Sequence, residues 1–517
     1  GGHRIVRGPV AKETDGAMAV SGGERVADFL GARGVRFLFT LCGGHISPIL
    51  VAAARRGLRV VDVRCEATAV FAADTVGRLT GVPGVAVVTA GPGLTNALTG
   101  LQNARLAEAP LVLIGGAVPT ALKGRGALQD IEQAAVARPH VKLSLTVRRV
   151  RDLVPALERA FRVACEGVPG PVFVECPVDL LYAEPVVREW YGAAAGGGRT
   201  LGARLAAAYL RRHVNRLFAG ADDAGASGVG ASPAPPSPRA RDVDRAAAAL
   251  GRAERPVLVV GSRAVALASA AARIAAAVSD LGVPVYLSGS ARGLLGRDHP
   301  RQFRHERRRA LRDSDCVILA GVPCDFRLDY GRHIGRRATL VAANRSARSA
   351  RMNRRPDIMA VGDAGLFLCR LAEARPAAPD RWRPWLETLE SFERERDREI
   401  AGRAAAPAEF LNPLALCGSI DDAMPGDAVI VADGGDFVAT ASYVVRPRGP
   451  LSWLDPGVFG TLGVGAGFAL AAKLLRPQSE VWLLFGDGAC GYGLVEFDTF
   501  VRHEVPVIAV VGNDGGW

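Results

Sequence analysis

Apolar and polar residues follow one another along the chain in two rhythms. Short runs that are apolar at nearly every position (VRFLFTL, RVVDV, GVAVVTAG, PLVLIGG, PVFVECP) alternate with longer stretches of helical period, among them GERVADFLGARG after Ser21, Glu66 to Leu79 and Thr95 to Ala107. Runs without a polar face read as strands covered on both sides, and their alternation with helices reads as a buried parallel sheet. The rhythm restarts at Pro256 with PVLVVGS, PVYLSGS, DCVILAG and ATLVAAN, and again after Ala406 with AVIVADGG, VWLLFGDG and PVIAVVGND. The pattern predicts an α/β chain of three doubly wound parallel-sheet domains at 18–190, 241–375 and 406–517. The chain starts at Gly1 and stops at Trp517 just after a strand-like run, so the expectation is a fragment. Its last domain would be incomplete at the C-terminus, with room for an upstream signal or membrane anchor.

Three stretches break the rhythm. Residues 1–17 are polar and read as a flexible lead-in. Residues 191–240 hold a helix-like segment and then GASGVGASPAPPSPRA, a low-complexity linker expected to be disordered or loosely packed. In that helix Leu201, Leu205, Leu210, Val214 and Leu217 lie among Arg204, Arg211, Arg212 and Arg216. The pattern fits a helix docked on its own domain with a solvated arginine face, or a membrane-surface helix. Residues 376–405 (WRPWLETLESFERERDREI at their centre) read as a helical connector.

Composition narrows the classes. With 517 residues, 49% hydrophobic and 22% charged, the chain is neither a disordered tail, a collagen nor a small disulfide scaffold. The net charge of +12 is carried almost wholly by arginine, since lysine occurs only at 12, 123, 142 and 473. That bias does not indicate nucleic acid, and no nucleic-acid module is present; it does suit acidic small ligands such as phosphates and coenzyme A. Nine cysteines are scattered singly without a C-x-x-C pair, which reads as reduced thiols in a reducing compartment. No run of 18 apolar residues occurs, so nothing in the chain reads as a membrane span.

The segment GDGACGYGLVEFDTFVRHEVPVIAVVGND carries the chemistry. One strand delivers Gly486, Asp487 and Gly488 at its carboxyl end, a helix follows, and a second strand delivers Asn513. Ligands of open α/β sheets bind at such strand ends. A carboxylate, an amide oxygen and a backbone carbonyl from the next turn are hard oxygen donors suited to Mg²⁺. The glycines allow phosphate oxygens to approach the backbone.

Strand-GDG, helix, strand-Asn at this spacing resembles the signature of thiamine diphosphate enzymes. VRCEATAVFAADTVGRLTG, GVAVVTAGPGLTNALTGLQNARLAEAPLVLIGG and WLDPGVFGTLGVGAGFALAAKL extend the resemblance to the acetolactate synthase superfamily. Within it, TLCGGHISPIL, GGDFVATASYVVRPRGPLSWLDPG and EFDTFVRHEVPVIAVVGND look most like the 2-hydroxyacyl-CoA lyase type. The resemblance makes 18–190 the pyrimidine-binding domain, 241–375 a middle domain and 406–517 the diphosphate-binding domain, with thiamine diphosphate and Mg²⁺ as cofactors.

Roles follow from that resemblance. Glu66, in a dry pocket, would hydrogen-bond N1′ of the aminopyrimidine. Asp487, Asn513 and the Gly515 carbonyl would hold Mg²⁺. Gly486, Gly488 and Ala489 would offer backbone to the diphosphate, as would Asp433, Gly434 and Gly435. Leu462 would hold the cofactor bent and the Gly460 carbonyl would accept from its 4′-amino group. Gln129, in RGALQDIEQ, matches a loop that reaches the active site. His45 departs from the small or apolar residues common there; it would move a proton at the substrate 2-hydroxyl, or else bond its own loop. The arginines of SARGLLGRDHPRQFRHERRRALR would meet coenzyme A phosphates, or form a solvated helix face. GSRAVALASA is a loose glycine turn without a flavin signature.

The activity implied is cleavage of 2-hydroxyacyl-CoA to formyl-CoA and an aldehyde one carbon shorter, in fatty-acid α-oxidation. The chain would form a homodimer or homotetramer, at the endoplasmic reticulum membrane through an N-terminal anchor. The alternatives are an acetolactate synthase joining two 2-keto acids, and a non-catalytic scaffold member.

Overall fold

The computed structural model describes residues 20–194, 200–221, 233–374 and 380–515. The lead-in 1–17 and the 222–232 part of the linker lie outside them. Helix formation begins at Ser21, whose hydroxyl accepts the Glu24 amide (3.1 Å) while Glu24 Oε2 accepts the Ser21 amide (2.7 Å). This reciprocal cap fixes where the first helix starts.

Six strands form the first sheet: β1 (Phe37–Thr40), β2 (Arg59–Asp62), β3 (Gly84–Val88), β4 (Leu111–Ala117), β5 (Leu143–Thr146) and β6 (Pro171–Pro177). Their order is β2-β1-β3-β4-β6-β5 and every pairing is parallel. The second sheet has β7 (Pro256–Val260), β8 (Val285–Leu287), β9 (Gln302–Phe303), β10 (Cys316–Ala320), β11 (Thr339–Asn344) and β12 (Ile358–Val361). It runs β12-β11-β10-β7-β8-β9, again parallel throughout. The third sheet, β14-β13-β15-β16, is built from β13 (Val429–Asp433), β14 (Trp453–Leu454), β15 (Val481–Gly486) and β16 (Ile508–Gly512), also all parallel. The wholly apolar runs are the reason: β3, β4, β6, β7, β10 and β13 are buried at every position. Strands buried on both faces need helices on both sides, which only parallel crossover connections supply.

Strand order reverses between β1 and β3 in the first sheet and between β13 and β15 in the third. These switch points open crevices at the carboxyl ends of the strands, where ligands bind in such folds.

The first and third domains meet in the same chain. The Val464–Leu475 helix lies on the Glu66–Thr80 helix, so close at Gly467 that a Cβ there would stand 2.6 Å from Phe71 Cβ. Phe71 and Phe468 pack edge to face at 6.1 Å between ring centroids.

Two segments are more tightly built than their composition suggests. The connector is one helix, Arg383–Ala404, whose leading turns bury Trp385, Leu386, Leu389 and Phe392 after the buried Trp382. The indoles of Trp382 and Trp385 donate to the carbonyls of Ala253 and Pro256 (2.8 and 3.1 Å), which seats the helix against the second domain. In the expected loose linker, the Pro236 carbonyl accepts the Asp363 amide (2.6 Å) and the Pro238 carbonyl accepts Arg370 Nη1 (2.8 Å). Gly362 permits this, since a Cβ there would overlap the Pro238 backbone. The Leu201–Phe218 helix docks through Val214, Leu217 and Phe218 and leaves Leu201, Leu205, Tyr209 and its arginines exposed. No described helix is long and apolar enough to cross a membrane, and all nine cysteines are free.

Candidate active site

The third sheet aligns its strand ends by register. Asp433 pairs with Phe485, and Gly486 pairs with Gly512, so the next residues, Asp487 and Asn513, stand at neighbouring strand ends. Asp487 Oδ1 accepts the Gly488 amide (2.9 Å) and Asn513 Oδ1 accepts the Gly515 amide (3.0 Å), which turns both side chains back over their own turns. Asn513 and Gly515 are exposed and Asp487 is half-buried, so the Asp487 carboxyl, the Asn513 amide oxygen and the Gly515 carbonyl offer hard oxygen donors at one edge. That donor chemistry fits Mg²⁺.

Beside them Gly434 holds φ +61°, ψ 156°, a conformation that favours glycine. A Cβ there would overlap Leu462 Cδ2 and stand 3.5 Å from Ala489 Cβ, so Gly434, Leu462 and Ala489 converge. Gly435 (φ +85°) and Gly460 (φ +66°) have open space where a side chain would be. Gly486, Gly488 and Ala489 form the turn from β15 into the next helix. Asp433 is placed differently from a residue that faces a ligand. Its two carboxyl oxygens accept the amides of Gly463 (3.1 Å) and Gly465 (2.8 Å), so the side chain holds the turn that carries Leu462. Burial pushes its carboxyl up to about 6, against the opposing pull of the Gly465, Gly463 and Val464 amides.

The second group gathers at the carboxyl edge of the first sheet. Glu66 opens its helix, is 5% exposed, and accepts Asn96 Nδ2 on Oε2 at 3.0 Å. Among the described residues Oε1 has no hydrogen-bond partner, and the bare α-carbon of Gly93 faces it. His45 follows β1 through Gly43 and Gly44, and its Nδ1 lies 3.2 Å from Thr89 Oγ1 at the end of β3. Burial lowers its pKa below the ordinary 6.5, so the imidazole is neutral at pH 7. Gln129 adopts φ +67° and packs against Gly91, where a Cβ would stand 2.8 Å from the Gln129 carbonyl oxygen. Buried Gln133 secures that loop: its Oε1 accepts the Gly91 amide (3.0 Å), and its Nε2 donates to the Gly116 carbonyl (2.9 Å) and Glu175 (3.1 Å).

His45, Glu66 and Gln129 thus share one sheet edge, and Gly434, Leu462, Asp487, Ala489 and Asn513 another. Among the described residues no hydrogen bond or ion pair joins the two groups. Sequence reasoning missed Thr89, Asn96 and Gln133, although Thr89 and Asn96 lie inside GVAVVTAGPGLTN and Gln133 ends RGALQDIEQ.

A third feature is a cavity of about 500 Å³ between the second and third domains, lined by Arg292, Arg304, Arg307, Arg308, Tyr443 and others. Arg292 lies over the Trp453 ring (5.1 Å) and donates to the Ser442 carbonyl (2.8 Å). Arg307 donates to the Arg327 carbonyl (2.9 Å) and has no ion-pair partner among the described residues. Burial pulls both guanidinium groups down from their usual range, opposed at Arg292 by the Asp455 carboxylate.

Comparison with known proteins agrees with this division of the chain. Residues 20–136 match the N-terminal TPP binding domain of thiamine pyrophosphate enzymes, 243–371 the central domain, and 433–517 the C-terminal TPP binding domain. The human protein 2-hydroxyacyl-CoA lyase 2 is 48% identical over 514 residues, which cover 98% of this chain and 80% of that one. The Danio rerio 2-hydroxyacyl-CoA lyase 2 is 49% identical over 508 residues, 96% of this chain and 80% of its own. The acetolactate synthase large subunit IlvG of Mycobacterium tuberculosis is 34% identical over 510 residues, 98% of this chain and 86% of its own.

Proposed function

Because the chain belongs to the thiamine pyrophosphate enzymes of the acetolactate synthase superfamily, we propose that it is a thiamine diphosphate-dependent 2-hydroxyacyl-CoA lyase. The observation that carries the choice is the 48% identity to 2-hydroxyacyl-CoA lyase 2, against 34% to an acetolactate synthase over a similar span. The overall reaction divides R–CH(OH)–CO–S–CoA into R–CHO and formyl-CoA, which balances without a co-reactant.

Thiamine diphosphate supplies, when bound, the nucleophilic carbon that such a cleavage requires. The chain's own residues bind, orient and move protons. Asp487, Asn513 and the Gly515 carbonyl would hold Mg²⁺ against the diphosphate, beside the close-fitting surface of Gly434, Leu462 and Ala489. Glu66 would present Oε1 to the aminopyrimidine while Asn96 holds its other oxygen. Neutral His45 accepts the proton of the substrate 2-hydroxyl as the bond between C1 and C2 breaks. Arg307 and Arg292 bind the coenzyme A phosphates in the inter-domain cavity.

An active dimer, in which Glu66 of one subunit faces the Mg²⁺ site of another, rests on the family resemblance. A place at the endoplasmic reticulum membrane rests on the family resemblance alone, and fractionation of the full-length protein tests it.

The deciding experiment gives the full-length protein, with thiamine diphosphate and Mg²⁺, a long-chain 2-hydroxyacyl-CoA and, separately, pyruvate. The expected products are formyl-CoA and the shortened aldehyde, abolished by Glu66→Ala. Acetolactate from pyruvate, with the thioester untouched, overturns the reading.

A further inference from the structure

The loop that delivers Glu66 is held from the other end of the chain. The carboxyl end of β2 and the turn after it are bonded to the Glu496–Arg502 helix of the third domain and to His503. Most bonds across this seam are exposed or half-buried: Arg502 Nη1 to Asp62 Oδ2 (2.7 Å), His503 Nε2 to Asp62 Oδ1 (3.1 Å) and Arg64 Nε to Asp498 Oδ2 (2.7 Å). Such pairs are screened by water and add little. Glu496 is different. It is 1% exposed, and both of its carboxyl oxygens accept the Arg64 amide, at 3.0 and 3.1 Å. Thr499 Oγ1 donates to the same carboxyl at 2.6 Å and fixes its rotamer.

We infer that Glu496 is a positioning residue for Glu66: it sets the Val63–Cys65 turn from which the Glu66 helix starts. The inference rests on the reading of Glu66 as the group that faces the cofactor. The physical reason is local. A helix has no intrahelical partners for its first amides, and this one has Cys65 at its N-cap without a side-chain cap bond. Within the first domain the Val63 amide is held by the Thr40 carbonyl (2.8 Å), but the Arg64 amide, one residue on, is held by the third domain. The Glu496 carboxyl supplies that constraint from outside, two residues before Glu66. Removal of the acceptor frees the turn, so Glu66 samples orientations other than the one Asn96 reads. Misplacement by about an ångström costs on the order of a hundredfold in rate.

The test compares Glu496→Gln, which keeps an acceptor at the same reach, with Glu496→Asp, which keeps the acid but withdraws it by one methylene. In the ligand-free protein, hydrogen–deuterium exchange at the Arg64 amide should stay slow in wild type and Glu496→Gln and rise about tenfold or more in Glu496→Asp. With cofactor bound, exchange of its C2 proton should stay fast in wild type and Glu496→Gln and slow in Glu496→Asp, with KM and cofactor affinity unchanged. Glu66→Ala is the control. Loss of C2 exchange in Glu66→Ala but not in Glu496→Asp overturns the positioning role alone. C2 exchange that survives Glu66→Ala overturns the reading of Glu66 and this inference with it. Equal protection of the Arg64 amide in all variants, or a Gln variant as impaired as the Asp variant, also overturns it. If Glu496→Asp does not fold, Thr499→Ala replaces it and should show the same order of effects, at smaller size.

Discussion

Leu462 lies across Gly434 so closely that the glycine has no room for a side chain: a Cβ there would overlap Leu462 Cδ2. The glycine also holds φ +61°, ψ 156°. Gly434→Ala therefore carries two costs, backbone strain of about 1–3 kcal/mol and displacement of Leu462. Cofactor affinity should fall at least about tenfold, the equivalent of about 1.4 kcal/mol, and the melting temperature should drop. Gly435→Ala is the contrast: φ is +85° but the space is open, so it should cost about 1–2 kcal/mol and leave Leu462 in place. Calorimetry and cofactor titration on both variants separate strain from the clash.

Asp433 makes stability depend on pH in an unusual direction. Burial raises its carboxyl from 3.8 to about 6, so the folded chain favours the protonated form. A raised carboxyl contributes stability that is fully present below its unfolded value and lost as pH rises through about 6. The loss on going from pH 4 to pH 7.5 is on the order of 2–3 kcal/mol for this group. Asp433→Asn cannot ionise and should lack this component. Chemical denaturation at both pH values should show wild type gaining on the Asn variant as the solution is acidified; parallel profiles would refute the assignment.

These two effects mark where sequence stops being informative. GDG and ND were legible as ligand-bearing turns because a strand end and its following glycine are local features. The apolar runs likewise identified parallel sheets, since burial on both faces is written position by position. Asp433 was legible only as part of another such turn; that its oxygens are occupied by Gly463 and Gly465 depends on contacts about thirty residues away. Thr89 beneath His45 and Asn96 on Glu66 depend on the order β2-β1-β3, which no periodicity encodes. The linker around Pro236–Pro238 looked loose by composition, yet one bare glycine on the neighbouring loop lets it dock.

Asp487 and Asn513 stand at adjacent strand ends. Asp487→Ala removes the anionic donor and should weaken Mg²⁺-dependent binding of thiamine diphosphate more than Asn513→Ala, which removes a neutral one. Titration with cofactor, with and without a chelator, reads the difference. Cofactor retention that is indifferent to Mg²⁺ in wild type would remove these residues from the metal site.

Arg307 is half-buried at the inter-domain cavity and has no ion-pair partner among the described residues. If it binds the coenzyme A phosphates, Arg307→Ala should raise KM for the thioester about tenfold or more, the usual scale for a charged hydrogen bond, with kcat little changed. A truncated thioester that lacks the nucleotide portion should be insensitive to the substitution. A fall in kcat with KM constant would place Arg307 elsewhere in the reaction.

His45 meets Thr89 through Nδ1 at 3.2 Å, and Nε2 has no hydrogen-bond partner among the described residues. With Nδ1–H donated to Thr89, Nε2 is left as the base. Burial lowers the imidazole below 6.5, so it stays neutral and able to accept a proton at pH 7. Protonation abolishes that capacity, so kcat should hold through neutral pH and fall as pH drops through the lowered pKa. His45→Ala should reduce kcat by about a hundredfold or more, flatten that acid limb and leave cofactor affinity unchanged. Thr89→Val removes the bond that selects the tautomer, and should lower kcat less while shifting the limb upward or downward with the freed ring. Wild-type turnover in His45→Ala would show that the histidine only holds its own loop, and the proton of the 2-hydroxyl would then have to leave by another group at the same sheet edge.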